Sequence, residues 1–236
     1  MNLLLPLAQA DGGFFRERTD SCVTDNGFCP GWFFDNIDRY TTPFLQHVLL
    51  TVVSVAIGFA IAFALGVLAH RRRWLVGPIT NVTGILYTLP SVAVFFLLLP
   101  ITGRGNVTAI IALTAYTLLI LFRNVLAGLD GVPDDARDAG RGMGLTERQL
   151  LWRVELPLAL PAIMAGLRIA MTTTVGLTAL VFLAGAGGLG EQILSDKTFK
   201  TNVLFAGGLC VLLAVALDAL ILLVQRSMTP WTRAVT

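Results

Sequence analysis

Hydrophobic positions in this chain come in long unbroken blocks, not in the alternating or three-and-four spacing of half-buried elements. Residues 48–69 carry no charge, nor do residues 74–103, and 105–122 repeat the pattern at shorter length. Residues 156–190 are interrupted only by Arg168, and 203–225 only by Asp218. A helix needs roughly 20 apolar residues to cross a bilayer. The pattern therefore predicts membrane helices near 46–69, 76–101, 105–126, 157–184 and 203–225. The expected fold class is an all-α integral membrane protein of about five spans.

Composition agrees with the pattern. Of the 236 residues, 55% are hydrophobic and 14% charged, against about a quarter charged in a soluble domain. A net charge of +2 offers little to nucleic acid, whose binding rests on phosphate neutralisation. The basic residues sort instead by side. Arg71, Arg72 and Arg73 close the first span; Arg123, Arg137, Arg141, Arg148 and Arg153 mark the region between the third and fourth; Arg226 and Arg233 follow the fifth. By the positive-inside rule this face is cytoplasmic. The expected layout is an extracytoplasmic tail over 1–43, a membrane domain over 44–229 with a cytoplasmic connector at 130–156, and a cytoplasmic tail over 230–236.

Smaller features refine this picture. Residues 4–10, LLPLAQA, end like a signal-cleavage site but lack the charged start and the long apolar part, so they read as tail. Cys22 and Cys29 lie in the exported tail and either pair to close a short loop or remain separate thiols. Cys210 reads as a small core residue of the fifth span. His47 and His70 flank the first span at opposite ends. That leaves no metal cluster and no histidine-dependent triad. The expectation is a non-enzyme without a metal site.

The connector has its own pattern. Pro133, Asp134 and Asp135 open a helix, with acids at the positive end of its dipole. That helix should stop near Gly142 or Gly144. Thr146 and Gln149 form a capping box for a second helix, whose Leu150, Leu151 and Val154 share a face, and Pro157 should mark the turn into the fourth span. Such a knob is either a solvated link or a docking element for a soluble partner. Leu150, Leu151 and Trp152 favour docking.

The knob's spacing is Asp138-Ala139-Gly140, three residues, Gly144, nine residues, Val154-Glu155-Leu156-Pro157. This resembles the coupling-helix signature of type I ABC importer permeases: Glu-Ala-Ala, three residues, Gly, nine residues, Ile-x-Leu-Pro. LYTLPSVAVF (86–95), ELPLALPAIMAGLR (155–168) and GAGGLG (185–190) extend the likeness over nearly all of the chain after His47. They resemble permeases of the glycine betaine, carnitine, choline and proline betaine importers. The resemblance implies a permease without its own ATPase, paired with a copy or a paralogue in the bacterial cell membrane. It also implies two cytoplasmic ATPase subunits, which bind ATP and magnesium, and an extracytoplasmic binding protein that delivers substrate. Asp138, Ala139, Gly140 and Gly144 would form the ATPase seat, with Val154, Leu156 and Pro157 carrying motion into the fourth span. No G-x-x-x-x-G-K-[ST] phosphate loop occurs in the sequence. Similar permeases could serve another trimethylated solute such as ergothioneine. A secondary transporter, the rival reading, would show internal repeats and buried ion-coupling groups.

Three further sets of residues carry alternatives. GAGGLG matches a dinucleotide fingerprint but lacks the βαβ context, so it reads as a tight turn at the outer mouth of the pathway, either a gate or a purely structural turn. Arg168 and Asp218, ionisable groups within spans, are expected to form an intramembrane ion pair, with a substrate contact as the alternative. Tyr87, Thr88, Pro90 and Ser91, with Phe95 and Phe96 nearby, are either packing or part of the translocation path. There Pro90 would kink the helix and aromatic faces could hold a quaternary ammonium.

Overall fold

A computed structural model describes residues 21–230. The LLPLAQA stretch and Arg233 lie outside the described residues. Two short helices, α1 (Ser21–Thr24) and α2 (Pro30–Asp35), precede the long α3 (Asp38–Arg71). A 3-10 turn leads to α4 (Val76–Thr88), and α5 (Ser91–Thr102) and α6 (Asn106–Asp130) follow. The knob holds α7 (Asp134–Gly142) and α8 (Glu147–Leu150). A π-helical turn, Leu151–Glu155, joins α8 to α9 (Leu156–Thr178). A 3-10 turn at Val181–Ala184, α10 (Leu189–Ser195) and α11 (Lys200–Met228) complete the chain. No strand occurs among the described residues.

The centre is α6, with α3 on one side and α9 on the other. Apolar attraction between helices is weak in lipid, so close backbone approach at small residues drives their packing. On α3, Ser54, Gly58, Ala62 and Gly66 repeat every fourth residue and are all buried. A Cβ at Gly58 would collide with Thr117 Oγ1, and one at Gly66 would lie 2.5 Å from Val125 Cγ1. On the other side Gly166 of α9 sits against Asn124 of α6. Val125, Leu129, Val132, Leu151, Ala159 and Ile163 form one buried cluster where α6, the knob and α9 meet. α11 packs along α9, yet only 11% of its most apolar window is buried. Its outer face is left for lipid or another chain.

Four helices are long and apolar enough to cross a membrane, and a fifth span results if the α4–α5 pair counts as one. The expected second span, 76–101, is not a single rod. It breaks at Leu89–Pro90, where both residues are extended (ψ 135° and 128°), and its halves meet at 98°. Proline at 90 bars Leu89 from the helical region. The fourth span also departs from expectation: the helix runs from Glu147 through Pro157 to Thr178 without a turn at the proline. The π-helical turn explains this, because Leu156 N–H reaches Leu151 O. The wider turn gives the Pro157 ring room against the carbonyls of the preceding turn. The helix ends at Thr178 and not at 184.

Candidate coupling site

Local signals set the shape of the knob. Pro133 caps α7 with an extended ψ of 139°, and Asp134 and Asp135 occupy its first turn. α7 stops at Gly142, and Gly144 follows with φ +80°, a conformation that disfavours any residue with a Cβ. Thr146 then caps α8: Gln149 N–H donates to Thr146 Oγ1 (3.4 Å), while Thr146 N–H donates to Gln149 Oε1 (2.9 Å).

Leu150 and Leu151 are not presented to a partner. Both are buried against this chain, at 1% and 2% exposure. Gly140 lies beneath Leu150, where a Cβ would come within 2.6 Å of Leu150 Cδ1. The glycine is thus an internal fit between α7 and α8. Asp138, Ala139 and Gly144 are exposed, as are Met143 (73%) and Trp152 (57%). The knob's free surface is its α7 face and tip. Val154 and Leu156 are half-buried, and Leu156 packs against the cluster around Leu129 and Ile163.

A polar clasp ties the knob to the helix ends. Arg137 Nε donates to Glu155 Oε1 (2.9 Å), its Nη1 to Asp134 Oδ1 (2.9 Å) and its Nη2 to Leu129 O (2.7 Å). Burial opposes the Arg137 charge, but hydrogen bonds and charge attraction from Glu155 and Asp134 outweigh it and raise the pKa above the ordinary arginine value. Glu155 also faces His70 Nε2 at 3.6 Å. His70 Nδ1 and Arg73 Nη1 reach the carboxylate of Asp130 at 2.9 and 2.6 Å. His70, Arg73, Asp134, Arg137 and Glu155 edge an open cleft of about 500 Å³. The ends of α3 and α6, the body of α7 and the π-helical turn before α9 are joined in one network.

Elsewhere, the break in the second span collects Tyr87, Thr88, Pro90 and Ser91. Tyr116 of α6 fixes it, its hydroxyl donating to Leu89 O (2.6 Å) while its ring meets Tyr87 edge-on at 6.2 Å. Phe95 is fully buried in a core cluster, whereas Phe96 is 52% exposed. Arg168 of α9 makes a two-point contact with Asp218 of α11, Nε to Oδ1 at 2.7 Å and Nη2 to Oδ2 at 2.8 Å. Cys22 and Cys29 are joined by a disulfide. The loop they close sits on the start of α11, where Cys29 N–H donates to Thr201 Oγ1 (2.7 Å) and Phe33 stacks on Phe205. GAGGLG turns from the 3-10 segment into α10, with Gly185, Gly187 and Gly188 at positive φ. Gln46 Nε2 donates to Ala186 O, and His47 accepts from Leu189 N–H (3.4 Å).

Residues 55–230 match the family model described as the binding-protein-dependent transport system inner membrane component. The chain belongs to this family. It is the permease subunit of an ABC importer.

The permease is 37% identical over 206 residues to the osmoprotectant import permease protein OsmW of Salmonella typhimurium, covering 84% of this chain and 96% of that one. It is 37% identical to the glycine betaine/carnitine/choline transport system permease protein OpuCD of Bacillus subtilis, over 79% of this chain and 83% of the relative. Among solved structures, an inward-facing methionine ABC transporter, MetNI, superposes with a TM-score of 0.67 at 28% identity. That match covers 81% of the permease and 94% of the MetNI chain. The clasp residues His70, Asp130, Arg137 and Glu155, and the Tyr116 anchor, were not among the sequence candidates. Glu155 alone had a signal, an acid between the apolar residues of the Val154–Pro157 motif.

Proposed function

We propose that this permease imports a small quaternary-ammonium osmolyte of the glycine betaine, carnitine, choline or proline betaine class. The observation that carries the reading is the likeness, over about four fifths of the chain, to permeases named for osmoprotectant, glycine betaine, carnitine and choline transport. Substrate arrives from an extracytoplasmic binding protein. The path forms with a second permease subunit, a copy or a paralogue, in the bacterial cell membrane. The N-terminus lies outside and the knob inside, as the arginines at 71–73, 137, 141, 148 and 153 support. Two cytoplasmic ATPase subunits, carrying ATP and magnesium, dock on the two knobs through the surface around Asp138, Ala139, Met143 and Gly144.

Closure of the ATPase pair displaces the knobs, and the clasp turns this into a rigid-body motion of helices. The Arg137–Glu155 bond and the packing of Leu156 pull α9, and Asp130 and His70 pull α6 and α3 with it. The break at Leu89–Pro90 lies where such motion can open or close a path. The test is uptake of labelled glycine betaine, carnitine, choline and ergothioneine by the complete complex in proteoliposomes. ATP-dependent accumulation of one of the first three supports the reading; accumulation of ergothioneine alone, or uptake driven by an ion gradient without ATP, overturns it.

A further inference from the structure

Arg123, counted in the sequence among the cytoplasmic-side arginines, lies within α6, seven residues before its end at Asp130, about 10 Å from the knob end at 1.5 Å per residue. It is exposed on the protein and has no hydrogen bond or ion pair among the described residues. Arg168, in the neighbouring α9, is by contrast matched to Asp218. An uncompensated guanidinium within a helix long and apolar enough to cross a membrane is unfavourable against lipid, so such a group faces water or a ligand.

Its surroundings are polar. Arg123 lines an open groove of about 440 Å³ with Thr80, Asn81, Gly84, Ile85 and Thr88 of α4. Thr80 and Asn81 likewise have no side-chain partner among the described residues. Gly84 leaves room, for a Cβ there would meet nothing within 4 Å. The groove rises from about a turn above the knob end to Thr88, beside the break at Leu89–Pro90. Its unmatched groups are a fixed cation, an amide and a hydroxyl, and it holds no carboxylate. A fixed positive charge repels a bare quaternary ammonium, whereas a guanidinium offers two parallel donors to a carboxylate.

We propose that Arg123, with Asn81 and Thr80, holds the carboxylate of the substrate as it crosses. The site thereby selects carboxylate-bearing zwitterions, such as betaines and carnitine, over choline. This rests on the substrate class proposed above and narrows it.

The test uses the purified permease–ATPase complex without binding protein, so that the permease's own preference is read. Saturation-transfer NMR suits weak ligands. The probes are glycine betaine, choline, and tert-butylacetate, the carbon isostere of glycine betaine that keeps the carboxylate and lacks the ammonium. The expected result is saturation of glycine betaine and tert-butylacetate but not choline, lost in Arg123→Gln and partly kept in Arg123→Lys. In proteoliposomes with binding protein, Arg123→Gln should lower glycine betaine uptake at least tenfold in a complex that still assembles with its ATPase subunits. Equal saturation of choline and glycine betaine, or carboxylate binding unaltered in Arg123→Gln, overturns the site. The second outcome is the one expected if Arg123 instead meets a lipid phosphate or an acid of the second permease subunit. Carboxylate binding that depends on Arg123, in a complex that takes up no quaternary ammonium, would keep the site and overturn the substrate class.

Discussion

At the residue scale, two positions carry sharp consequences. Gly144 holds φ +80° between α7 and α8, and a side chain there costs about 1–2 kcal/mol of local conformation. A Cβ would meet no atom within 4 Å, so Gly144→Leu should insert and assemble in the membrane while altering the knob's tip. Substrate-stimulated ATP hydrolysis should be lost; normal coupled turnover would count against the tip as a docking surface. The Arg168–Asp218 pair gives a second test. Either partner alone leaves an unmatched charge among apolar residues, so Arg168→Leu and Asp218→Leu should each lower the membrane yield of folded protein, and the double variant should recover much of it. A double variant no better than the singles would remove the pairing. The pair was legible because charges are scarce in the spans. Gly144 was legible because a fixed spacing surrounds it. The clasp was not, since His70, Asp130 and Glu155 sit on separate helices and a polar residue near a span end ordinarily signals only the water boundary.

At the element scale, the structure shows how the knob stays rigid. Its two helices are short, and short helices are marginal alone. Gly140 under Leu150, the capping box and Arg137 make them one body. Arg137→Leu would leave Glu155, 9% exposed at its side chain, and Leu129 O without their donor. The expected loss is about 2–3 kcal/mol, below that of a fully buried pair because the cleft is open to water. Thermal unfolding of the purified complex should show it, together with ATP hydrolysis no longer responsive to substrate. An unchanged Tm and intact coupling would show that the clasp does not carry the motion. The break in the second span was half legible. Pro90 marked a kink, but a 98° bend also needs Tyr116 to satisfy Leu89 O from 27 residues away. Pro157 misled in the other direction: read as a turn, it is absorbed by a π-helical turn whose wider ladder no periodicity reveals. The small-residue ridge from Ser54 to Gly66 had a signal, a small residue at every fourth position, hidden in a run where apolar content alone explained each residue.

At the scale of the whole molecule, the all-α fold class and four of the five expected spans followed from uncharged length. What length could not show was which helix is central. That follows from where glycines permit contact, placing α6 between α3 and α9 and leaving α11 and the α4–α5 pair with free faces. The proposed mechanism has one requirement above the others, that the knob's tip touches a separate ATPase on the cytoplasmic side. Replacing Met143, 73% exposed at that tip, with a photo-crosslinking amino acid tests this within the intact complex. Irradiation should give an adduct of permease and ATPase subunit whose yield changes when ATP is added. An adduct with the extracytoplasmic binding protein, or no adduct with the ATPase in a complex that still transports, would contradict the account.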